Sequence, residues 1–320
     1  MKAALIAAFA LVVSAGAWAQ GGYPSRPVTM VVGFAPGGGT DTVARIIAKH
    51  LSDGLGQQVV VENKAGAGGN IATEYVARAA PDGHTILLGN VGSLAVAPHM
   101  IASLGYDPLR DFAPITMAVV FANVIVVPSS VPAQSLTEFV KLAQAKPGTV
   151  TYGTSGIGGA GHLAGEMFNM RANIELVHVP YKGGGPSMQG LLGGQVMSSF
   201  ATPVSVVEHM KAGKLRALAT TGPKRAALLP DVPTVAESGY PGFEAMNWYA
   251  FVAPAKTPKA IIERLNRELV KALESPEAAV LLGKQGLEPS PTTPAELGRY
   301  IEREYETWGK VVKQAGIKAQ

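Results

Sequence analysis

Val28-Thr29-Met30-Val31-Val32-Gly33-Phe34-Ala35-Pro36-Gly37-Gly38-Gly39-Thr40-Asp41 and the segment Thr42–Leu51 that follows it decide how this chain folds. Val28–Phe34 is an apolar run of the length and character of a strand buried in a parallel sheet. Ala35 to Asp41 interrupts it with Pro36 and consecutive glycines. Thr42–Leu51 then places Val43, Ile46, Ile47 and Leu51 at helical spacing. The motif repeats. Gln58–Glu62 reads as a second strand, Gly66–Gly69 as a glycine-rich turn, and Asn70 as the N-cap of a helix over Ile71–Ala79. Pro81-Asp82-Gly83 is a turn, and Thr85–Leu88 a third strand. Strands alternating with helices imply a parallel sheet with right-handed crossovers.

Pro114–Val127 is too long for one ordinary strand and too β-branched for a helix, so it reads as a strand crossing between domains. A second alternation follows, with strands at Thr149–Tyr152, Glu175–Val179, Met197–Phe200 and Leu215–Thr220, and helices at Gly161–Met170, Pro186–Leu192 and Val204–Lys211. Phe243–Ala253 is the expected return crossing. Thr257-Pro258 opens a helix, with an N-cap and proline at its first position, running to about Leu273. Ser275-Pro276 opens another, and a last helix runs from near Pro294 to near Gly316. The expected architecture is α/β: two lobes joined by crossing strands, with a ligand cleft between them. Lobe 1 comprises 20–123 and 247–320, and lobe 2 comprises 124–246.

Composition narrows the function classes. A chain of 320 residues suits about two domains. Hydrophobic residues at 47% against charged residues at 16% exclude intrinsic disorder. The 38 glycines show no triplet period, which excludes a collagen. With 0 cysteines there is no disulfide framework, thiolate metal site, iron–sulfur cluster or cysteine nucleophile. The net charge is +4, but Lys and Arg are scattered, without the basic stripe of a nucleic-acid binder. Residues 1–19 read as a signal peptide: Lys2, an apolar run Ala3–Val13, and Ala17-Trp18-Ala19 with cleavage after Ala19. The run is shorter than the ~20 residues of a spanning helix; an uncleaved anchor is the alternative. An exported chain without cysteine fits a bacterial periplasm.

Three glycine loops, Phe34–Asp41, Thr154–Gly161 and Tyr181–Gly185, follow predicted strands, where open parallel sheets bind ligands. Glycine lets the backbone approach a ligand, and successive N–H groups make anion-binding concavities. The helix N-terminus that follows adds partial positive charge. Two such loops facing across a cleft suit a small carboxylate better than a triphosphate. The alternative is that the glycines only make tight turns. Gly66–Asn70 is read that way, as a capped turn.

Enzyme motifs fare poorly. No G-x-x-x-x-G-K-[ST] exists. Gly153-Thr154-Ser155-Gly156-Ile157 misses the G-x-S-x-G elbow at its fifth position, leaving Ser155 as a hydrogen-bond donor. Gly156–Gly161 matches G-x-G-x-x-G after a strand, which keeps a nucleotide-dependent oxidoreductase using NAD as an alternative. The acidic residue that reading wants at the end of the next strand is missing, because Glu175 lies at its beginning. The six histidines show no H-x-x-x-H or H-E-x-x-H spacing. The expectation is therefore a non-enzyme with no cofactor and no metal. His162 either donates to an anion or belongs to the helix surface or cap. Asp41 is either an N-cap or a ligand contact, and Lys182 either neutralises a ligand charge or is solvated.

The chain resembles one family along nearly all its mature length. The resemblance rests on Tyr23-Pro24-Ser25-Arg26-Pro27-Val28, Gly33–Asp41, Val61-Glu62-Asn63-Lys64-Ala65-Gly66-Ala67-Gly68-Gly69-Asn70, and Pro81-Asp82-Gly83-His84-Thr85. It also rests on Val179-Pro180-Tyr181-Lys182-Gly183-Gly184-Gly185-Pro186 and Leu229-Pro230-Asp231-Val232-Pro233-Thr234-Val235-Ala236-Glu237. These are similar to the Bug-type substrate-binding proteins of tripartite tricarboxylate transporters. The resemblance implies a type II periplasmic-binding-protein-like fold whose lobes close on a di- or tricarboxylate, an acidic amino acid or an aromatic acid. It implies that one carboxylate lies between two facing glycine loops, held largely by backbone groups and ordered water. Carried over, the first-lobe contacts are Phe34, Ala35, Pro36, Gly37, Gly38, Gly39, Thr40 and Asp41. Those of the second lobe are Ser155, Gly156, Gly158 and Gly159, with Tyr181, Lys182, Gly183 and Gly184. Asn90 and Ser93, and Thr202 with Pro203, would line the distal pocket. The implied partner is a membrane permease; a receptor kinase reading the closed form is the alternative. A monomer is expected.

Overall fold

A computed structural model describes residues 22–315, so the expected signal peptide and the expected helix end near Gly316 lie outside the described part. The strands are β1 (Val28–Val32), β2 (Val59–Asn63), β3 (Thr85–Asn90), β4 (Phe112–Ala122), β5 (Val124–Pro128), β6 (Thr151–Thr154), β7 (Val177–Pro180), β8 (Ser198–Ala201), β9 (Leu215–Thr220), β10 (Met246–Pro254) and β11 (Glu288–Pro289). The α-helices are α1 (Gly39–Leu55), α2 (Asn70–Ala77), α3 (Ala97–Met100), α4 (Leu136–Ala145), α5 (Ala160–Ala172), α6 (Gly184–Leu192), α7 (Pro203–Lys211), α8 (Lys259–Glu274), α9 (Pro276–Gly283) and α10 (Pro294–Ala315). Among the described residues, no helix is long and apolar enough to cross a membrane.

The strands form a six-stranded sheet, ordered β11-β4-β10-β3-β1-β2, and a five-stranded sheet, ordered β7-β6-β8-β5-β9. β1 pairs parallel with β2 and β3, and β6 parallel with β7 and β8. The sheets are mixed, not purely parallel as expected from the strand–helix alternation. β10 runs antiparallel to β3 and β4, and β5 antiparallel to β8 and β9. The reason is the crossing itself: β4 carries the chain out of the first sheet and β10 brings it back beside β4 in the opposite sense.

The long apolar stretch at 114–127 is two strands, broken at Asn123. Three chain passages are tied together there. The Asn123 amide donates to Thr221 Oγ1 at 2.9 Å, and the Thr221 amide donates to the Asn123 carbonyl at 2.9 Å. Thr221 Oγ1 in turn donates to the Ala245 carbonyl at 2.7 Å, and the Ala245 amide donates back to the Thr221 carbonyl at 2.8 Å.

Helices cover both faces of the first sheet. On one face Val43, Ile47 and Leu51 of α1 and Leu265 and Leu269 of α8 are buried in one cluster. On the other, Leu297, Ile301, Trp308 and Val312 of α10 pack with Trp248, whose Nε1 donates to Glu304 Oε2 at 3.0 Å. That cluster also takes in Ala160 and Leu163 of α5, so the C-terminal helix touches both lobes.

Three helix starts differ from the sequence expectation. Asn70 is not a cap; Gly69 holds that position in a left-handed conformation, and Asn70 Oδ1 accepts from Tyr106 Oη at 2.8 Å. Pro258, not Thr257, is the N-cap of α8, and Thr257 Oγ1 has no hydrogen-bond partner among the described residues. Helix α4 is absent from the expected elements, although Ser135 caps the Glu138 amide and Glu138 returns a bond to the Gln134 amide, the reciprocal pattern that marks a helix start.

Candidate functional site

The chain builds a cavity where the carboxyl ends of β1, β3, β6 and β8 face each other. Gly39, Ala160 and Gly184, the first residues of α1, α5 and α6, line it, as does Thr202, which precedes α7. The N-caps of these four helices are Gly38, Gly159, Gly183 and Thr202, and none makes a side-chain capping bond. The first amides of a helix have no acceptor within it. Each uncapped end also carries roughly half a positive charge. Among the described residues, no Lys, Arg, His, Asp or Glu lines the cavity. The arrangement is an electropositive chamber made of backbone, suited to an anion that accepts hydrogen bonds.

The loops also meet each other. The Ala35 amide donates to the Lys182 carbonyl at 3.0 Å, from the first lobe to the second. A Cβ on Gly38 would stand 3.2 Å from the Gly184 nitrogen, and one on Gly183 would stand 3.0 Å from the Ala35 nitrogen. The other pair of loops meets at Gly68, where a Cβ would collide with the Ile157 carbonyl. Gly66–Asn70, read from sequence as a mere turn, is thus a cleft-closing loop. The lobes stand closed.

Phe34, Gly38, Gly39, Thr40, Asn90, Ser155, Gly184 and Thr202 of the expected set line the cavity. Ala35, Pro36, Gly37, Gly156, Gly158, Gly159 and Gly183 lie in the loops but not on the cavity wall. Asp41 braces its own loop. It is the third residue of α1, and its Oδ2 accepts from the Gly37 amide at 3.0 Å and from Arg45 Nε at 2.9 Å. Its Oδ1 accepts from Asn63 Nδ2 at 2.9 Å. Burial opposes its charge, but the bonds from Arg45, Gly37 and Asn63 outweigh burial and hold the carboxyl below the usual carboxylate range. Ser93 lies behind Asn90, its amide donating to Asn90 Oδ1 at 3.2 Å. The Lys182 side chain is exposed. Tyr181 Oη donates to Gln195 Oε1 at 3.3 Å, and Pro203 packs toward Gly286.

His162 lies beneath the second-lobe loop. Its Nδ1 accepts from the Gly158 amide at 3.1 Å, and its ring stacks on His178 with centroids 4.1 Å apart. His178 Nε2 bonds Thr154 Oγ1 at 2.7 Å, which accepts from the Gly156 amide at 3.2 Å. The two histidines therefore hold two amides of one loop. Burial lowers the His162 pKa to about 4, and burial, with His162 alongside, lowers that of His178 to about 3. Both rings are neutral near pH 7. With the Gly156 and Gly158 amides engaged internally, the donors that Gly156–Gly161 offers an anion are those at the start of α5. Among the described residues, no group of three or more His, Asp or Glu is placed to hold a metal ion.

Sequence reading did not find Asn123, Ser187, Asn247 and Tyr249, all of which line the cavity. The signal for two of them was present: an asparagine set inside an apolar run, as in Phe121-Ala122-Asn123-Val124-Ile125 and Met246-Asn247-Trp248.

Comparison with known proteins agrees with this geometry. Residues 43–317 match the family described as tripartite tricarboxylate transporter family receptor. The chain belongs to this receptor family. Protein BugT of Bordetella pertussis is 40% identical over 297 residues, 92% of this chain and 91% of BugT. The periplasmic binding protein BugD superposes with a TM-score of 0.90 at 38% identity, covering 93% of this chain and 100% of BugD. R. palustris Rpa4515, solved with adipate, also gives 0.90, at 37% identity, covering 93% of this chain and 99% of that one. The receptor fold is accordingly the two-lobe, type II periplasmic-binding-protein-like one, and this tripartite tricarboxylate receptor is a solute-binding protein.

Proposed function

We propose that this receptor captures a small carboxylate in the periplasm by lobe closure and delivers it to a tripartite tricarboxylate transporter permease. The supporting observation is the convergence of four uncapped helix N-termini on one cavity that no charged side chain lines. A carboxylate there accepts from the amides of Gly39, Thr40, Ala160, Gly161 and Gly184, with Ser155 and Thr202 beside them. The adipate held by a protein 37% identical supports the ligand class. Export with cleavage after Ala19 belongs to the same reading. The lobes, 20–123 with 247–320 and 124–246, turn about Asn123, Thr221 and Ala245. Ligand that contacts both lobes only when they are closed stabilises the closed form by its differential affinity.

The test is thermal melting of the refolded mature chain against small carboxylates, with NAD and ATP as controls. A ligand at a hundredfold excess over its Kd raises stability by about 2.7 kcal/mol. The expected result is a response to a carboxylate alone. A response to NAD or ATP alone overturns the proposal.

A further inference from the structure

Asp41 and His162 occupy the same place in the two lobes. Each is the third residue of a helix that opens on the cavity, α1 for Asp41 and α5 for His162. Each side chain reaches back four residues to a backbone amide. Asp41 Oδ2 accepts from Gly37 at 3.0 Å, and His162 Nδ1 accepts from Gly158 at 3.1 Å. The glycines match as well. Gly37 and Gly158 are left-handed, with φ +85° and +74°. The N-caps that follow them, Gly38 and Gly159, are both extended. The amides of Thr42 and Leu163 then close the first turns on the Gly38 and Gly159 carbonyls, at 3.0 and 3.1 Å. In both lobes the side chain ties off the glycine amide that lies outside the helix. The first amides of the helix itself have no acceptor within it and are left for the cavity.

The two acceptors differ in charge, and their surroundings account for it. Asp41 is met four residues on by Arg45, whose Nε donates to Oδ2 at 2.9 Å. In α5 that place belongs to Glu166, whose Oε1 lies 4.0 Å from His162 Nε2 and accepts from the Tyr152 hydroxyl at 2.6 Å. A carboxylate at position 162 would face Glu166 where Asp41 faces a guanidinium. It would also stand behind amides that serve an anion, and like charges so placed repel. An imidazole avoids both. The hydrogen bond fixes its tautomer: the Gly158 amide can only donate, so Nδ1 carries the lone pair and Nε2 the proton. The stack on His178, with centroids 4.1 Å apart, holds the ring in that orientation.

We infer that His162 is a positioning residue for ligand capture, the uncharged counterpart of Asp41: it holds the Gly156–Gly159 turn so that the start of α5 offers its amides to the ligand carboxylate with no charge behind them. The inference rests on the carboxylate reading above and deepens it. His162 itself does not line the cavity; it acts through the turn.

The experiment compares His162→Asn, His162→Asp and His162→Phe with the wild type, each as the refolded mature chain. Asparagine and aspartate put an oxygen where Nδ1 stands and differ from each other in charge. Phenylalanine keeps a ring for His178 and removes the acceptor. Affinity is read by calorimetric titration near neutral pH, with whichever of succinate, glutarate, adipate and malate most raises the wild-type melting temperature. His162→Asn is expected to bind within about threefold of the wild type, and His162→Phe and His162→Asp each about tenfold or more weaker, the first for want of the acceptor and the second by repulsion. A role in stability alone would lower the ligand-free melting temperature of His162→Phe and leave its affinity at the wild-type value; that result overturns the inference. So do equal affinities of the asparagine and aspartate variants, or an asparagine variant as weak as the phenylalanine one. In each of these cases the carboxylate reading stands. If none of the four acids shifts the wild type, that reading falls and this inference with it. Should the variants fail to fold, nitrogen NMR of the wild-type imidazoles decides. His162 is expected to carry its proton on Nε2, and a ring protonated at Nδ1 could not accept from Gly158.

Discussion

The amide of Ala35 donates to the carbonyl of Lys182 at 3.0 Å, tying the first glycine loop of one lobe to the third glycine loop of the other. Gly183 follows Lys182 with φ +146°, and a Cβ there would lie 3.0 Å from the Ala35 nitrogen. The bond exists because no side chain stands between the loops. Under the function proposed above it also couples binding to closure, since the amides of Gly39 and Gly184 would reach a common anion only when these two loops touch.

Gly183→Val should therefore open the cleft. The substitution adds a side chain at a backbone conformation that favours glycine, at a cost of about 1–3 kcal/mol, and puts it against backbone in the opposite lobe. The expected outcome is a larger radius of gyration by small-angle scattering, measured with whichever acid stabilises the wild type, together with a lost melting response to that acid. Wild-type scattering and an undiminished melting response would remove Gly183 from the closure mechanism.

Gly68 makes the matching contact on the other side. A Cβ at Gly68, φ +65°, meets the Ile157 carbonyl, whereas at Gly213, φ +68°, nothing lies within 4 Å. The two positions carry similar backbone strain and differ in what faces them. Gly68→Ala and Gly213→Ala should each lower stability by about 1 kcal/mol, but only Gly68→Ala should weaken the response to ligand. Equal responses in the two variants would show that the Gly68 loop is a turn and nothing more.

The contrast between Gly68 and Gly38 shows what the sequence could convey. Strand–glycine–helix order was legible because it is written in adjacent residues: the Val28–Val32 run, the glycines, then the α1 period. Two α/β lobes joined by crossing strands were legible from apolar stretches too long for one strand. What faces what across a cleft was not, because Gly68 and Ile157 are far apart in the chain and neither has a side-chain pattern that reports the other. The antiparallel members of each sheet escaped for the same reason, as strand direction is fixed by where the chain returns. Asp41 and His162 were noticed as polar residues at loop ends, but their partners come from elsewhere: Arg45 from the next turn of α1, Asn63 from β2, His178 from β7 and Gly158 from the loop itself. Proximity to a glycine loop in sequence therefore did not reveal that both side chains bond the loop itself.

The stacked histidines predict a pH dependence. His162 and His178 are held near 4 and 3 by burial, below the ordinary value of 6.5. Glu166, with Oε1 4.0 Å from His162 Nε2, and the Tyr152 hydroxyl, which donates to Glu166 at 2.6 Å, are the other titratable groups placed against the pair. Between the folded and unfolded values the unfolded chain binds more protons, so stability rises with pH there. The contribution is full above about 6.5 and falls as the pH drops toward about 4, each histidine losing about 1.4 kcal/mol per pH unit. Carboxylates titrate mainly below about 4.5, so the window from about 5 to 6.5 isolates the histidines. Urea unfolding across that window should show falling stability in the wild type as the pH is lowered. His162→Gln, which keeps an acceptor for the Gly158 amide, should flatten the slope. An unchanged slope in that variant would mean His162 is already protonated in the folded chain.

Thr221 offers the sharpest test of the hinge. Its hydroxyl accepts from the Asn123 amide and donates to the Ala245 carbonyl, so one oxygen joins the outgoing and returning passages of the chain. The residue is 0% exposed. Thr221→Val keeps the shape and removes both bonds, leaving a buried donor and a buried acceptor unpaired, each costing about 1–3 kcal/mol. Thr221→Ser keeps the hydroxyl and loses only a methyl, at a cost of about 1 kcal/mol. Valine should therefore be the more damaging change even though it is the better strand former, and amide exchange at Asn123 should accelerate in the valine variant but not in the serine one. If serine proves as destabilising as valine, packing of the methyl group, not the shared oxygen, holds the crossing together.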